Sequence, residues 1–141
     1  MDTLHPTEMQ RRLRQAGILP TLQRMAVADV LLNAPAHMTA EQVLVAARQR
    51  LSGLSRATVY VVLQLFVRRG LLKELPMDGA ATVYDSNTRP HHHLYDVDTG
   101  EVADLPEGDL QVLGVDQALG GRELAGVDVI VRVRGRATPA R

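Results

Sequence analysis

The chain has 141 residues, with 16 basic and 16 acidic side chains, five His and no Cys. The absence of Cys excludes disulfides, thiol nucleophiles, iron–sulfur clusters and thiolate zinc sites. The N-terminus lacks the basic-then-apolar pattern of a secretory signal, and the longest central apolar run (59–63) is too short to span a bilayer. We therefore expect a cytoplasmic protein with no membrane partner. The zero net charge hides an asymmetry: residues 1–85 carry ten basic and seven acidic side chains, whereas residues 86–141 carry six and nine.

The first half of the chain has the pattern of four short helices. Hydroxyl residues suited to capping a helix N-terminus stand at Thr21, Thr39 and Ser55, and Gln42 completes a capping box with Thr39. Glycine, which commonly ends helices, follows the first and the fourth apolar-periodic segments. These signals predict helices over 8–16, from 22 to about 33, from 40 to about 51 and over 56–69.

A change to short strands follows the fourth helix. Segments 71–75 and 82–84 are strand candidates on either side of the turn cluster 76–79. Two short helices joined by a tight turn at Gly53 and followed by a hairpin are typical of a winged helix-turn-helix. In that layout the second helix of the pair enters the major groove of double-stranded DNA.

The second half of the chain is rich in strand patterns. Segments 91–97 and 101–105 flank a hairpin turn at 98–100, and segment 127–134 alternates between apolar and polar residues. Three strands and few helices are too little for an independent core. We therefore predict that this half buries its apolar face against a second copy, which makes the protein a homodimer.

A run of three histidines is the strongest chemical signal. On a strand His91 and His93 share one face, about 7 Å apart, while His92 points the other way. Asp104 lies across the predicted hairpin, and Asp85 stands just before the cluster. This nitrogen and oxygen donor set suits Fe, Mn, Zn, Co or Ni. Haem ligation is a second interpretation, and a solvated strand end whose histidines only donate hydrogen bonds is a third.

An enzyme is a remote alternative for the same residues. His91, His93 and Asp104 match a two-His-one-carboxylate site for non-haem iron chemistry. The chain is short for an oxygenase barrel and spends over half its length on the helix-turn-helix pattern, so we expect no enzyme activity. By itself His37 is more typical of a surface loop before the third helix than of a ligand.

Polar side chains on the fourth helix suit DNA contact. Hydroxyl, amide and guanidinium groups near a helix N-terminus bind base edges and phosphates, and basic residues on the first helix add phosphate contacts. A solvated amphipathic helix explains the same pattern without DNA. The DNA-binding candidates on the fourth helix are Ser55, Arg56, Thr58, Tyr60 and Gln64, with Arg68 and Arg69 near its end, and those on the first helix are Arg11, Arg12 and Arg14.

Several segments between about residue 10 and residue 105 resemble the ferric uptake regulator family of metal-dependent transcription factors. The most specific is Ala57-Thr-Val-Tyr60, followed by the triple histidine. The other resembling segments are Leu13-Arg-Gln-Ala-Gly17, Thr21-Leu-Gln-Arg24, His37-Met-Thr-Ala-Glu41, Leu63, Phe66 and Gly100.

The resemblance implies an α+β protein. It implies a winged helix-turn-helix DNA-binding domain over 1–85, a short hinge and a small α/β metal-sensing dimerisation domain over 86–141. A regulatory divalent metal, Fe or Mn, with Zn an alternative in vitro, would sit between the two domains. Tyr60 corresponds to the family's base-contacting Tyr and Arg14 to its basic contact on the first helix. The implied metal ligands are His37, Asp85, His91, His93 and Asp104.

Departures from the family pattern matter too. Asp96-Val-Asp-Thr99 stands where the family usually has a Cys-x-x-Cys pair, so we expect no structural zinc of the Cys type. The Arg that usually follows the motif Tyr is Val61 here, so one DNA contact is lost. The Cys-free hairpin, the triple histidine and segment 127–134 are similar to the iron response regulator branch of the family.

This similarity implies a regulator of iron homeostasis and haem metabolism that senses haem through His91, His92 and His93. The alternative within the family is a peroxide-responsive repressor. In that alternative Fe(II) bound at the same residues makes the oxidation of a ligand histidine by peroxide possible.

Overall fold

The computed structural model describes residues 6–33, 36–77 and 79–135. The chain divides into two compact units, residues 1–88 and 89–141, and each unit is described by itself. No helix in the described ranges is long and apolar enough to cross a membrane. Asp78 of the predicted wing turn lies outside the described residues.

Four helices form most of the first unit, and the last three begin at the hydroxyl residues that predicted them. Thr39 and Gln42 form the capping box, since Gln42 N donates to Thr39 Oγ1 at 3.2 Å and Thr39 N donates to Gln42 Oε1 at 2.9 Å. Gly17 ends the first helix with a φ of 77°, a conformation that L side chains rarely adopt. The helices are α1 (Pro6–Gln15), α2 (Leu22–Leu31), α3 (Ala40–Arg50) and α4 (Arg56–Arg68).

The hydrophobic core of the first unit lies between these helices. Apolar positions one helical turn apart on α4 point into it, which is what the periodicity of this segment predicts. Phe66 and Leu63 are fully buried there, against Leu13 of α1, Leu31 of α2 and Leu44 of α3. This packing holds α4 by its inner face and leaves its outer face available to solvent.

A three-stranded antiparallel sheet completes the first unit. Its strands are β1 (His37–Thr39), β2 (Lys73–Leu75) and β3 (Val83–Asp85), in the order β1-β3-β2. The pair β2 and β3 is the predicted wing. The expectation that His37 lies in a loop was wrong, because β1 pairs with β3 and sets His37 opposite Asp85.

The second unit contains a mixed three-stranded sheet. Its strands are β4 (His92–Asp96), β5 (Val102–Leu105) and β6 (Ile130–Val133), in the order β5-β4-β6. Strands β4 and β5 form the predicted antiparallel hairpin, which turns at Gly100 with a φ of 78°. The sequence did not predict the 3-10 turn Glu107–Asp109 or the one-turn helix α5 (Val115–Ala118) between β5 and β6.

Strand β6 is shorter than predicted, and the sequence did not predict its pairing. It covers four residues of the expected segment 127–134, and it pairs with β4 in parallel. Ile130 and Val131 are only half-buried and Val133 is exposed. The apolar side chains of this strand are therefore only partly covered by the described part of the chain.

Candidate metal centre and nucleic-acid interface

The first unit holds one set of candidate ligands, His37 and Asp85. The antiparallel register of β1 and β3 places them opposite each other, with His37 Nε2 at 3.2 Å from Asp85 Oδ2. Asp85 is fully buried, and its Oδ1 accepts a hydrogen bond from Asn87 N at 2.9 Å. A buried carboxylate of this kind is stable only when it is bound by a donor or a cation. The two residues thus form an oriented nitrogen and oxygen donor pair.

The second unit holds the other set, His91, His93 and Asp104. The β4–β5 register places His93 opposite Asp104. Asp104 Oδ1 lies 3.1 Å from His91 Nε2 and 3.6 Å from His93 Nε2, and the two imidazole rings are 4.4 Å apart. Both histidines are buried, whereas the Asp104 side chain is about one-third exposed. Two imidazoles and a carboxylate therefore converge at one end of this sheet, as the strand alternation predicts.

The orientation of His91 fits a cation between these groups. Its Nδ1 lies 2.6 Å from the carbonyl oxygen of Arg89. Because a carbonyl oxygen only accepts, Nδ1 must carry the hydrogen, and the neutral ring then presents the Nε2 lone pair to Asp104. His91 Nε2 and Asp104 Oδ1 would then be two acceptor atoms 3.1 Å apart, which repel each other unless a cation or a proton lies between them. A metal-bound histidine typically donates its other ring hydrogen to a carbonyl in this way.

The chemistry of the two sets suits a divalent transition metal. Each set combines borderline imidazole nitrogen with hard carboxylate oxygen, a donor set that Fe, Mn and Zn all accept. Because the chain has no Cys, neither set includes a thiolate. When bound, such an ion supplies positive charge that holds imidazole and carboxylate groups together, and Fe(II) in addition supplies redox chemistry.

His92 has a different environment from its two neighbours. Its Nδ1 accepts a hydrogen bond from Val129 N at 3.3 Å, and His93 N donates to Val129 O at 3.1 Å. The side chain of His92 thus joins β4 to the segment before β6. Haem ligation by His91, His92 and His93 stays a prediction. The contact of His92 with Val129 does not support it.

Most polar DNA-binding candidates on α4 have contacts within the protein. Arg56 donates two hydrogen bonds to Glu41, at 2.8 and 3.1 Å. The Ser55 hydroxyl accepts from Thr58 N at 3.0 Å and lies 2.8 Å from Thr58 Oγ1. Tyr60 is exposed on α4, and Arg14 is exposed on α1. The assignment of these residues to DNA contact remains a prediction.

Gln64 is the candidate on α4 that contacts the wing. Its amide nitrogen donates to Glu74 Oε1 of β2 at 2.6 Å and lies 3.3 Å from the Tyr84 hydroxyl of β3. Burial raises the pKa of Tyr84. Gln64 therefore joins α4 to the wing, and a contact between Gln64 and a base would require it to leave these partners.

The ion pair between α3 and α4 is exposed. The hydrogen bond from Arg56 lowers the pKa of Glu41, and the same contact raises the pKa of Arg56. Both side chains are more than half exposed to solvent. The pair orients Arg56 along the surface while leaving it accessible to other anions, such as phosphate.

A comparison with known protein families matches residues 15–125 to the ferric uptake regulator family. The chain belongs to this family. Among curated relatives, it is 34% identical over 98 residues to the peroxide operon regulator of Bacillus subtilis, a match that covers 70% of this chain and 68% of that protein. It is 35% identical over 93 residues to the peroxide-responsive repressor PerR of Staphylococcus aureus, covering 66% of this chain and 63% of that protein.

A solved structure of the same family has a similar fold. The ferric uptake regulator from Pseudomonas aeruginosa with manganese superposes with a TM-score of 0.68 at 29% identity, covering 92% of this chain and 98% of that one. This similarity confirms the predicted α+β class. Family membership also confirms the prediction of a transcription regulator rather than an enzyme. The two curated relatives are peroxide regulators, and the assignment to the iron response regulator branch stays a prediction.

Proposed function

We propose that this protein is a metal-dependent, homodimeric DNA-binding repressor, and that one divalent ion takes its ligands from both units. The observation that carries the proposal is the orientation of His91, whose ring is held by the Arg89 carbonyl so that Nε2 faces a carboxylate. His37 and Asp85 form a second oriented pair of the same chemistry. The proposed ligands are His37, Asp85, His91, His93 and Asp104.

Shared ligation would connect the metal to DNA affinity. An ion changes affinity only if it binds one arrangement of the protein more tightly than another. A homodimer presents two copies of α4, which must match major grooves one helical turn or a multiple of it apart. Because the proposed ligands belong to both units, metal binding would favour the arrangement in which both α4 helices fit.

We propose that the repressor responds to peroxide rather than to haem. The two curated relatives with the identities given above are named for peroxide response. If Fe(II) were held by these residues, it would supply the redox chemistry that activates hydrogen peroxide beside the ligand imidazoles. In the net reaction peroxide is the oxidant and a ring carbon of a ligand histidine is oxidised by two electrons: the C–H becomes C–OH, and the second peroxide oxygen leaves as water. The oxidised ring is a poorer ligand, so the repressor would release its DNA.

The DNA-binding part of the proposal is tested with the full chain and a pool of random-sequence DNA duplexes. With Mn(II) present we expect enrichment of a common sequence, and chelation should lower affinity for it. Affinity should also fall by about a thousandfold or more between 50 and 200 mM salt, because Arg and Lys contacts to phosphates release counterions. Binding that is indifferent to both metal and salt would contradict the proposal.

The signal is tested by loading the protein with Fe(II) or Mn(II) and adding hydrogen peroxide. We expect a peptide containing a ligand histidine to gain the mass of one oxygen atom with Fe(II) only, together with loss of DNA affinity. A parallel titration with haem tests the other branch. If haem releases the DNA and peroxide oxidises no histidine, the peroxide assignment is wrong. That result would support the similarity to the iron response regulator branch.

A further inference from the structure

The exposed face of α4 includes apolar side chains beside its polar ones. Ser55, Arg56, Thr58 and Gln64 all have the partners within the protein described above. The other exposed side chains in the first two turns are those of Ala57, Tyr60 and Val61. Ala57 stands three positions before Tyr60 and four before Val61, so it lies beside both of them on the exposed side of the helix.

Val61 is the most unusual of the three. Its side chain is 67% exposed, although four other apolar residues of α4 are buried in the core. A branched apolar side chain gains nothing from water at such a position, whereas contact with another apolar group removes its surface from water. Val61 also follows Tyr60 directly, and it occupies the position at which the family usually has Arg.

We propose that Val61 is a specificity-determining residue that contacts the 5-methyl group of a thymine in the major groove. This inference rests on the proposed function, since it requires α4 to enter the groove. Thymine alone among the four bases presents a methyl group there, and apolar side chains recognise it by contact. Val61 has neither donor nor acceptor, so opposite the other bases it covers polar edges without replacing their hydrogen bonds to water.

The local structure of α4 holds the Val61 side chain in a fixed position, which favours contact with one defined base. A valine in a helix has one strongly preferred χ1 rotamer, so its two methyl groups are held in place before DNA binds. The inner face of the helix is anchored by Phe66 and Leu63 in the core. An arginine at the same position would favour guanine instead. Val61 thus changes which base is selected and does not simply remove a contact.

The test uses the full chain with Mn(II) and a duplex selected from the random pool. Each thymine of the selected sequence is replaced in turn by deoxyuridine, which lacks only the 5-methyl group. For the wild-type protein we expect a loss of about fourfold in affinity at one thymine in each half-site, the effect of removing one buried methyl contact. In Val61→Ala the same replacement should change affinity by about twofold or less.

A matched control is Val45→Ala, which makes the same substitution at a 58% exposed position on α3. It should keep the wild-type response to deoxyuridine. A second variant, Val61→Arg, should change the preferred base at that position from thymine to guanine in a repeated selection. Both substituted positions are exposed, so we expect all three variants to fold.

The outcomes separate this inference from the proposed function. If the wild-type protein selects a sequence but binds thymine and deoxyuridine equally at every position, the role of Val61 is wrong and DNA binding stands. If the methyl effect persists undiminished in Val61→Ala, the contact belongs to another residue and the inference is again wrong. If no duplex is enriched at all, both the inference and the proposed function fail.

Discussion

The two units of this chain bury different kinds of residue. Among the described residues, every buried hydrophobic side chain belongs to the first unit, with Phe66 and Leu63 at the centre of its core. In the described part of the second unit the buried residues are His91, His92 and His93. We infer that hydrophobic burial stabilises the first unit, whereas metal ligation and a second copy of the chain stabilise the second.

The largest expected effect is a core substitution in the first unit. Phe66→Ala removes a fully buried aromatic ring and should lower the free energy of unfolding by about 3–5 kcal/mol. The matched substitution Ile130→Ala in half-buried β6 should cost about 1 kcal/mol, because less surface is buried there. Urea unfolding followed by circular dichroism measures both. Equal losses would contradict the contrast between the units.

Metal should stabilise the protein by an amount that depends on the histidines of the second unit. At a free Mn(II) concentration of one hundred times the dissociation constant, binding adds about 2.7 kcal/mol to the free energy of unfolding. His93→Ala should remove most of this gain, whereas Val45→Ala, at an exposed position on α3, should keep it. The measurement is thermal unfolding with and without Mn(II). A full gain in His93→Ala would count against the proposed ligand set.

A smaller effect is expected at the start of α3. Thr39→Ala removes the hydroxyl that accepts from Gln42 N, and helix caps of this kind contribute about 1 kcal/mol. Thr39→Ser retains the hydroxyl and should restore most of the stability. The urea concentrations at the unfolding midpoints of the two variants measure this difference. If Thr39→Ser is as unstable as Thr39→Ala, the loss of the helix cap does not explain the lower stability.

The smallest effect concerns the exposed pair of Glu41 and Arg56. Because Arg56 lowers the pKa of Glu41, the pair stabilises the fold above the ordinary carboxyl pKa, and this contribution is lost as the pH falls through the lowered pKa. In Arg56→Gln the pKa of Glu41 should move back up toward its ordinary value. An NMR titration of the Glu41 carboxyl group measures the change, and an unmoved pKa would show that the pair is absent in solution.

Local signals in the sequence predicted the helices of the first unit well. Thr39 with Gln42, and Ser55, mark helix starts through contacts made within three residues, so no knowledge of the fold is needed. The hairpin of β4 and β5 was also predicted, because its turn at Gly100 is local. Alternation on β4 placed His91 and His93 on one face, which the structure shows near Asp104.

Pairing between distant segments was not predictable in the same way. Strand β1 has only three residues, and what makes it a strand is its pairing with β3, far along the chain. His37 was therefore assigned to a loop, and the prediction that it is a metal ligand came from the family resemblance. The parallel pairing of β6 with β4 likewise depends on a long connection, and the one-turn helix within it has no apolar periodicity.

We propose that the histidines of the second unit control DNA binding by the first. This proposal is tested most directly by measuring affinity for a selected duplex against Mn(II) concentration in the wild-type protein and in the double variant His91→Ala/His93→Ala. We predict that Mn(II) raises the affinity of the wild type and leaves that of the double variant unchanged. A double variant whose affinity still rises with Mn(II) as in the wild type would contradict the account.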